Sequence, residues 1–175
     1  YKNEVELLHV DIPEITQIPV LKFMEAKEIL MKTFKYKPSD MKDFDPEEEQ
    51  LLGKYAKKQF NSDFIFITHY PSKKRPFYTM DDPADPEYTL SFDLLFRGLE
   101  ITSGGQRVHD YNEQVAKMQK LGMNPEEFAT YLMLHKYGAP PHGGLGLGLE
   151  RLTMHLLGAK NVREATMFPR DINRV

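Results

Sequence analysis

There is no cysteine in the 175 residues. Disulfides and thiolate metal sites are therefore excluded, and the redox compartment is left open. No apolar run approaches the ~20 residues that span a bilayer, and no secretory signal is visible. An excess of one charge is also missing: 23 Lys and Arg against 26 Asp and Glu leave a formal net charge of −3. That balance argues against tight electrostatic binding of nucleic acid by the fold as a whole, while a local basic patch stays open. No histidine pair has the HExxH spacing, so a zinc site is not expected, and GxSxG, the P-loop and the Rossmann fingerprint are absent. Internal repeats, linkers and low-complexity tracts are absent as well. The first residue is Tyr1 rather than methionine, as in a processed product, a proteolytic piece or an excised segment.

What is present reads as one domain with a real core. Residues 1–20 carry Val5, Leu7, Leu8 and Val10 before Pro13 and Pro19, and read as an extended entry with at most one strand. Phe23, Ala26, Ile29, Leu30 and Phe34 have helical spacing, stopped by Pro38. Asp45-Pro46-Glu47 is a helix start, with an N-cap carboxylate and proline at the first position. That helix is expected to reach about Gln59 with Leu51, Leu52, Tyr55 and Ala56 inward. Phe64–Thr68 reads as a buried strand, His69–Pro76 as a loop, Phe77–Met80 as a strand and Asp81–Pro86 as a turn. Tyr88–Arg97 is the longest strand signal, with Ser91, Asp93, Leu95 and Arg97 on one face and Phe92, Leu94 and Phe96 on the other. Leu99–Thr102 resumes after Gly98 and ends in a Ser103-Gly104-Gly105 turn. Asp110–Lys120 has a capping box of Asp110 with Glu113, and Asn124-Pro125 opens a further helix that Gly138 ends.

From Gly143 glycine alternates with leucine, then Leu149, Leu152, Leu156 and Leu157 fall on one helical face closed by Gly158. A side-chain-poor strand thus leads into a helix whose early turn carries Glu150 and Arg151. A planar base could lie on the glycines while the guanidinium meets a phosphate; a structural ion pair for Arg151 is the alternative. Ala165–Phe168 reads as a last short strand. Hairpin-like strand runs ahead of clustered helices favour an α+β fold with a mostly antiparallel sheet over a doubly wound parallel one.

Asp93, Glu100, Ser103 and Arg107 form a second constellation. In unbroken strand geometry Glu100 lies opposite Asp93, but a bulge at Gly98 would bring it to the same face. Two acids and a hydroxyl together make a hard, oxygen-rich site suited to magnesium. The alternatives are a strand-face pair of Asp93 with Arg97 and a surface ion pair for Arg107. His69, His109 and His142 read as structural. The Lys73-Lys74-Arg75 triplet reads as a solvated loop, or else as a contact for an RNA end or phosphate at a site rim.

Taken together, these segments resemble a known family. Gly146-Leu147-Gly148-Leu149-Glu150-Arg151-Leu152 resembles motif 3 of class II aminoacyl-tRNA synthetases. Phe92 to His109 resembles the aspartyl-tRNA synthetases of the archaeal and eukaryotic type. Arg75–Met80, Tyr137–Gly144 and the ending Phe168-Pro169-Arg170-Asp171 agree with them. The resemblance implies ATP bound on a large antiparallel sheet, activation of aspartate to aspartyl adenylate, and transfer to the acceptor end of tRNA. It implies magnesium and ATP at Glu100, Ser103 assisting the metal and touching the amino acid, Asp93 as a further metal-side acid, and Arg107 on the substrate's side-chain carboxylate. Arg151 would stack on adenine, with Gly148, Leu149 and Glu150 at the nucleotide. A cytoplasmic, homodimeric parent is expected. No counterpart is found of the anticodon-binding domain, motif 1 or motif 2, so residues 1–175 read as the C-terminal part of a catalytic domain, unable to aminoacylate alone. The nearest rivals are an asparaginyl-tRNA synthetase, a paralogue making asparagine, and a non-catalytic ATP-binding module. Arg107-Val108-His109 resembles the aspartyl pattern and tilts the choice toward aspartate.

Overall fold

The computed structural model describes residues 1–170 and 172; Asp171, at the end of the last family-like segment, lies outside the described residues. A five-stranded sheet forms the framework. Its strands are β1 (Val20–Lys22), β2 (Phe64–Thr68), β5 (Ser91–Phe96), β6 (Leu99–Arg107) and β7 (His142–Leu147), in that spatial order. β1 runs parallel to β2, and every other pairing in it is antiparallel. A separate hairpin joins β3 (Asp81–Asp82) to β4 (Asp85–Thr89). The α+β expectation with a mostly antiparallel sheet is met.

Each face of the sheet is only half covered. The register aligns Ile65 with Leu95 and Ile67 with Asp93, so these share one face. Over its β1–β2–β5 half lie α2 (Phe23–Phe34) and α3 (Pro46–Phe60), burying Phe23, Leu30, Leu52 and Ala56 against Ile65, Ile67 and Leu95. On the opposite face Phe64, Phe96 and Ile101 meet Leu152 and Leu156 of α6 (Leu149–Leu156). The first face over β5, β6 and β7 is left open, and the candidate site lies there.

Local chemistry explains the best-defined helix. Asp45 accepts the Glu48 N–H at 2.9 Å while Glu48 accepts the Asp45 N–H at 2.9 Å, with Pro46 at the first position. Glu48 also carries a buried ion pair: its carboxylate lies 2.7 Å from Lys27 Nζ, and the ammonium further donates to the carbonyls of Asp40 and Asp43. All three ammonium hydrogens can therefore be satisfied inside the protein.

Several local expectations are corrected. Lys2–Leu7 forms a short helix, α1, where an extended entry was expected; its N–H groups bond within the segment instead of to a neighbouring strand. Phe77–Met80 is a turn touching the sheet through one isolated bridge, Thr79 to Arg107. The Asp81–Pro86 turn narrows to Pro83-Ala84 between two short strands. The long strand from Tyr88 breaks at Leu90, and Ser103-Gly104-Gly105 continues β6 because it pairs on both sides, with β5 and with β7. Leu149 is 65% exposed, so the apolar face of α6 rests on Leu152 and Leu156. Ala165–Phe168 forms no strand; Val162–Ala165 is a 3-10 turn, and Met167 and Phe168 are exposed. Helix α4 (Tyr111–Lys120) forms where a helix was expected, with Asp110 accepting the Glu113 N–H; the helix expected from Asn124 starts as a 3-10 turn over Pro125–Phe128 and becomes α5 (Ala129–Lys136) only after it.

Candidate active site

The geometry of the site originates in one irregularity. Leu94 pairs with Thr102 but Leu95 pairs with Glu100, so Ile101 is the extra residue of a β-bulge. The bulge expected at Gly98 thus sits three residues later, and Gly98, at φ +80° beside Arg97 at φ +49°, instead makes the hairpin turn. The consequence for side chains is the expected one. Glu100 and Ser103, three residues apart, come to one face, and Ser103 faces Asp93 across the ladder. Ser103 Oγ lies 2.8 Å from Asp93 Oδ1 and 2.8 Å from Glu100 Oε1.

A hydroxyl has one hydrogen, so at any moment one of those carboxylates faces an oxygen lone pair. Three oxygens in that arrangement suit a hard cation that keeps waters and takes only one or two carboxylates, as magnesium does. Among the described residues no group of three or more His, Cys, Asp or Glu side chains is placed to hold a metal, so a site demanding more protein ligands than these is not formed.

Asp93 is 5% exposed, and its partner is Arg75, not Arg97. Arg75 Nη2 donates to Asp93 Oδ2 at 2.7 Å, and the guanidinium lies 3.8 Å from the centre of the Tyr70 ring. Burial, reinforced by the charge of Asp93, pushes the Tyr70 hydroxyl up from its ordinary pKa. Arg97 turns to Asp63 and Asp11. Of the basic triplet, Lys73 and Lys74 are exposed while Arg75 turns inward. The loop reading missed Arg75. The signals for it were the family-like run that begins at Arg75 and the inward-facing acid Asp93 on β5.

Arg107 shares the face of Ser103 and Gly105 by strand alternation. Its guanidinium lies 5.3 Å from the centre of the Tyr78 ring and so close to β7 that a Cβ on Gly144 would come within 2.8 Å of it. No carboxylate among the described residues is within ion-pair reach of Arg107, so the surface-pair alternative is not what forms. The cleft it borders, about 350 Å³, also has Arg75, Ser103, Gly105, Gly144 and Gly146 in its walls. Gly105 and Gly144 pair across β6 and β7, Gly146 pairs with Ser103, and a Cβ on Gly146 would meet nothing within 4 Å. The floor is therefore open at Gly146, while the Arg107 guanidinium fills the space over Gly144 and the Leu90–Ser91 backbone crowds Gly105.

The nucleotide-side candidates adjoin the bulge. Gly148 is the N-cap of α6, and its N–H donates to the carbonyl of Ile101 at 2.8 Å. Arg151 is exposed and donates from Nη1 to the carbonyl of Glu100 at 3.0 Å, in place of an ion pair. Leu149 and Glu150 are exposed beside it. One acid escaped the sequence reading altogether: Glu49 of α3, whose Oε2 accepts the Glu100 N–H at 3.0 Å. His142 Nδ1 contacts the Pro140 carbonyl and His69 sits between Thr68 and Asp82, local contacts of the kind expected, whereas the buried Nδ1 of His109 has no hydrogen-bond partner among the described residues.

Comparison with known proteins agrees with this fold. Residues 2–172 match the family described as tRNA synthetases class II (D, K and N), and the chain belongs to that family. Among curated relatives it is 51% identical over 174 residues to the aspartate–tRNA(Asp/Asn) ligase of Thermus thermophilus, covering 99% of this chain and 40% of that protein. It is 43% identical to the aspartate–tRNA(Asp) ligase of Pyrococcus furiosus, with the same 99% and 40% coverage. The solved aspartyl-tRNA synthetase of Entamoeba histolytica superposes with a TM-score of 0.86 at 39% identity, covering 91% of this chain and 33% of that one. The asparaginyl-tRNA synthetase of Pyrococcus horikoshii gives 0.86 at 32% identity, covering 99% and 41%. The chain thus spans about 40% of the length of the curated relatives it matches.

Proposed function

We propose that the full-length protein carrying this chain activates aspartate with ATP and passes the aspartyl group to the acceptor end of tRNA, and that this chain supplies the C-terminal part of its catalytic domain. The observation that carries the reading is Arg107: a half-buried guanidinium fork with no carboxylate partner among the described residues, bordering a cleft lined also by Ser103 of the oxygen cluster and by glycines of β6 and β7. A fork of fixed geometry matches a carboxylate in two parallel hydrogen bonds. Its intended partner is the side-chain carboxylate of aspartate.

In the reaction the amino-acid α-carboxylate attacks the α-phosphorus of ATP, a bond to the α-phosphorus forms, and the bond to pyrophosphate breaks. Glu100 and Ser103 would hold magnesium, with Asp93 behind Ser103 as the further acid on that side. Bound there, magnesium would neutralise the charge that develops on the phosphate oxygens. The open floor at Gly146, ending at Gly148, would accept a planar base. Arg151, next to Leu149 and Glu150, would leave the Glu100 carbonyl to cover the base and meet the terminal phosphate. Its exposure supports that freedom. No helix among the described residues is long and apolar enough to cross a membrane. A cytoplasmic homodimer is the assembly this reading assigns to the full-length protein.

ATP–pyrophosphate exchange tests it, with aspartate and asparagine side by side. The full-length protein is expected to exchange with aspartate and far more weakly with asparagine, and the 175-residue chain alone with neither. Exchange with asparagine only would establish the asparaginyl reading. Absence of exchange by the full-length protein with either would leave a non-catalytic module.

A further inference from the structure

Both backbone polar groups of Glu100 are held by side chains from other elements. Its N–H is taken by Glu49 and its carbonyl by Arg151, each at 3.0 Å. The two grips come from opposite directions, one from the first turns of α3 and one from α6.

Glu49 is an improbable residue to find there by electrostatics alone. It is half-buried, no cation among the described residues pairs with it, and its nearest charged company includes the carboxylates of Glu100 and Asp93. Burial pushes its carboxyl up from the ordinary range, and those two acids add to the effect, while the Glu100 N–H and the charge of Arg151 oppose it. A local conflict of this kind is expected where a site demands it. The placement is also enforced from behind. The preceding residue, Glu48, is locked into the core by Lys27, which fixes the rotation of α3 about its axis. One turn later Gly53 rests on the backbone of the hairpin, where a Cβ would come within 2.5 Å of the Gly98 nitrogen. The face of α3 that carries Glu49 is thus pressed onto the β5–β6 hairpin.

We propose that Glu49 is a positioning residue for Glu100: by accepting the Glu100 amide it fixes the bulged backbone and so aims the Glu100 carboxylate at Ser103. Arg151 closes the same clamp from the carbonyl side until nucleotide draws it away, after which Glu49 alone holds that backbone. The inference rests on the reading of Glu100 and Ser103 as the magnesium-side pair.

The test uses the full-length protein with Glu49→Ala and Glu49→Gln. Two readouts are needed: hydrogen exchange at the Glu100 amide, and the magnesium concentration giving half-maximal ATP–pyrophosphate exchange. Glu49→Ala removes the acceptor. It is expected to speed exchange at that amide roughly tenfold and raise the magnesium midpoint roughly fivefold, as loss of a hydrogen bond to a charged group implies. The rate at saturating magnesium should change less than about threefold. Glu49→Gln keeps an acceptor oxygen and is expected to stay within about twofold on both readouts. Unchanged readouts in Glu49→Ala overturn the proposal, as does Glu49→Gln behaving like Glu49→Ala, since charge and not the hydrogen bond would then matter. Slower core amides such as Ile65 report general unfolding, which would also count against it. Glu100→Gln separates the two levels: if it leaves the magnesium midpoint unmoved, the magnesium-side reading has failed. If it moves the midpoint and Glu49→Ala does not, only the role of Glu49 has failed.

Discussion

Arg107 and Arg75 lie on the same cleft with opposite obligations. Arg75 is engaged by Asp93 and the Tyr70 ring, whereas Arg107 has the Tyr78 ring and the glycine backbone of β7 against it and no carboxylate among the described residues. Replacing Arg107 by alanine should therefore leave the fold intact and remove substrate binding. A bidentate pair of charge-assisted bonds is worth about 3 kcal/mol, so kcat/KM for aspartate should fall roughly 100-fold in pyrophosphate exchange, with the thermal midpoint little changed. Replacing Arg75 by leucine should do the reverse in emphasis, because it strands the nearly buried Asp93 carboxylate. Breaking one side of such a pair costs about 2–4 kcal/mol, which urea unfolding would report. A double-mutant cycle with Asp93→Asn should recover a coupling above about 1 kcal/mol; strict additivity would mean that the pair contributes nothing.

Among the elements, α3 connects the core to the site. Its N-terminus was legible in Asp45-Pro46-Glu47, since capping is a local matter of side chain to backbone within one turn. Its buried ion pair was not legible, because Lys27 is 21 positions away and its ammonium is satisfied by two loop carbonyls as well as Glu48. Lys27→Met should destabilise by about 3–5 kcal/mol, as an unpaired buried carboxylate is left behind. Adding Glu48→Leu should restore much of that loss, less the cost of the Asp45 capping contact, about 1 kcal/mol. Urea unfolding of both variants checks this, and a double variant no better than the single one would count against the account. The bulge shows the same division. A glycine pointed to an irregularity near Glu100, but whether the extra residue fell at Gly98 or Ile101 depended on pairing with β5, which no single strand encodes.

For the molecule as a whole, stability should decline on the acid side in two stages. His155 is held below its ordinary pKa of 6.5, by burial first and then by the charge of Arg97. The folded state therefore resists a proton that the unfolded chain accepts. Its contribution is complete above about pH 6.5 and is lost as pH falls from there toward the folded value. Asp63 titrates lower. Burial alone would raise it, but hydrogen bonds from Lys57 and Arg97, with their charges, hold it below its ordinary 3.8. That contribution is present above about pH 3.8 and is lost as pH falls through the lower folded value. Unfolding free energies measured from pH 7.5 to 2.5 should show both declines, and His155→Phe should flatten the upper one. A slope between pH 6.5 and 5 that survives in that variant would assign it elsewhere.

The sequence by itself determined what depends on neighbours along the chain: the caps of α3 and α4, the buried strand Phe64–Thr68, the α+β order of elements, and the motif-like runs around Glu100 and Arg151. Tertiary structure decided what depends on groups far apart in the chain. It chose Arg75 over Arg97 as the partner of Asp93, made Ser103-Gly104-Gly105 a strand instead of a turn, and brought Glu49 to the Glu100 amide. The physical reason is common to all three. A buried carboxylate, an unpaired strand edge and a bulged amide each must find a partner, and which partner is within reach is fixed only once the sheet has assembled.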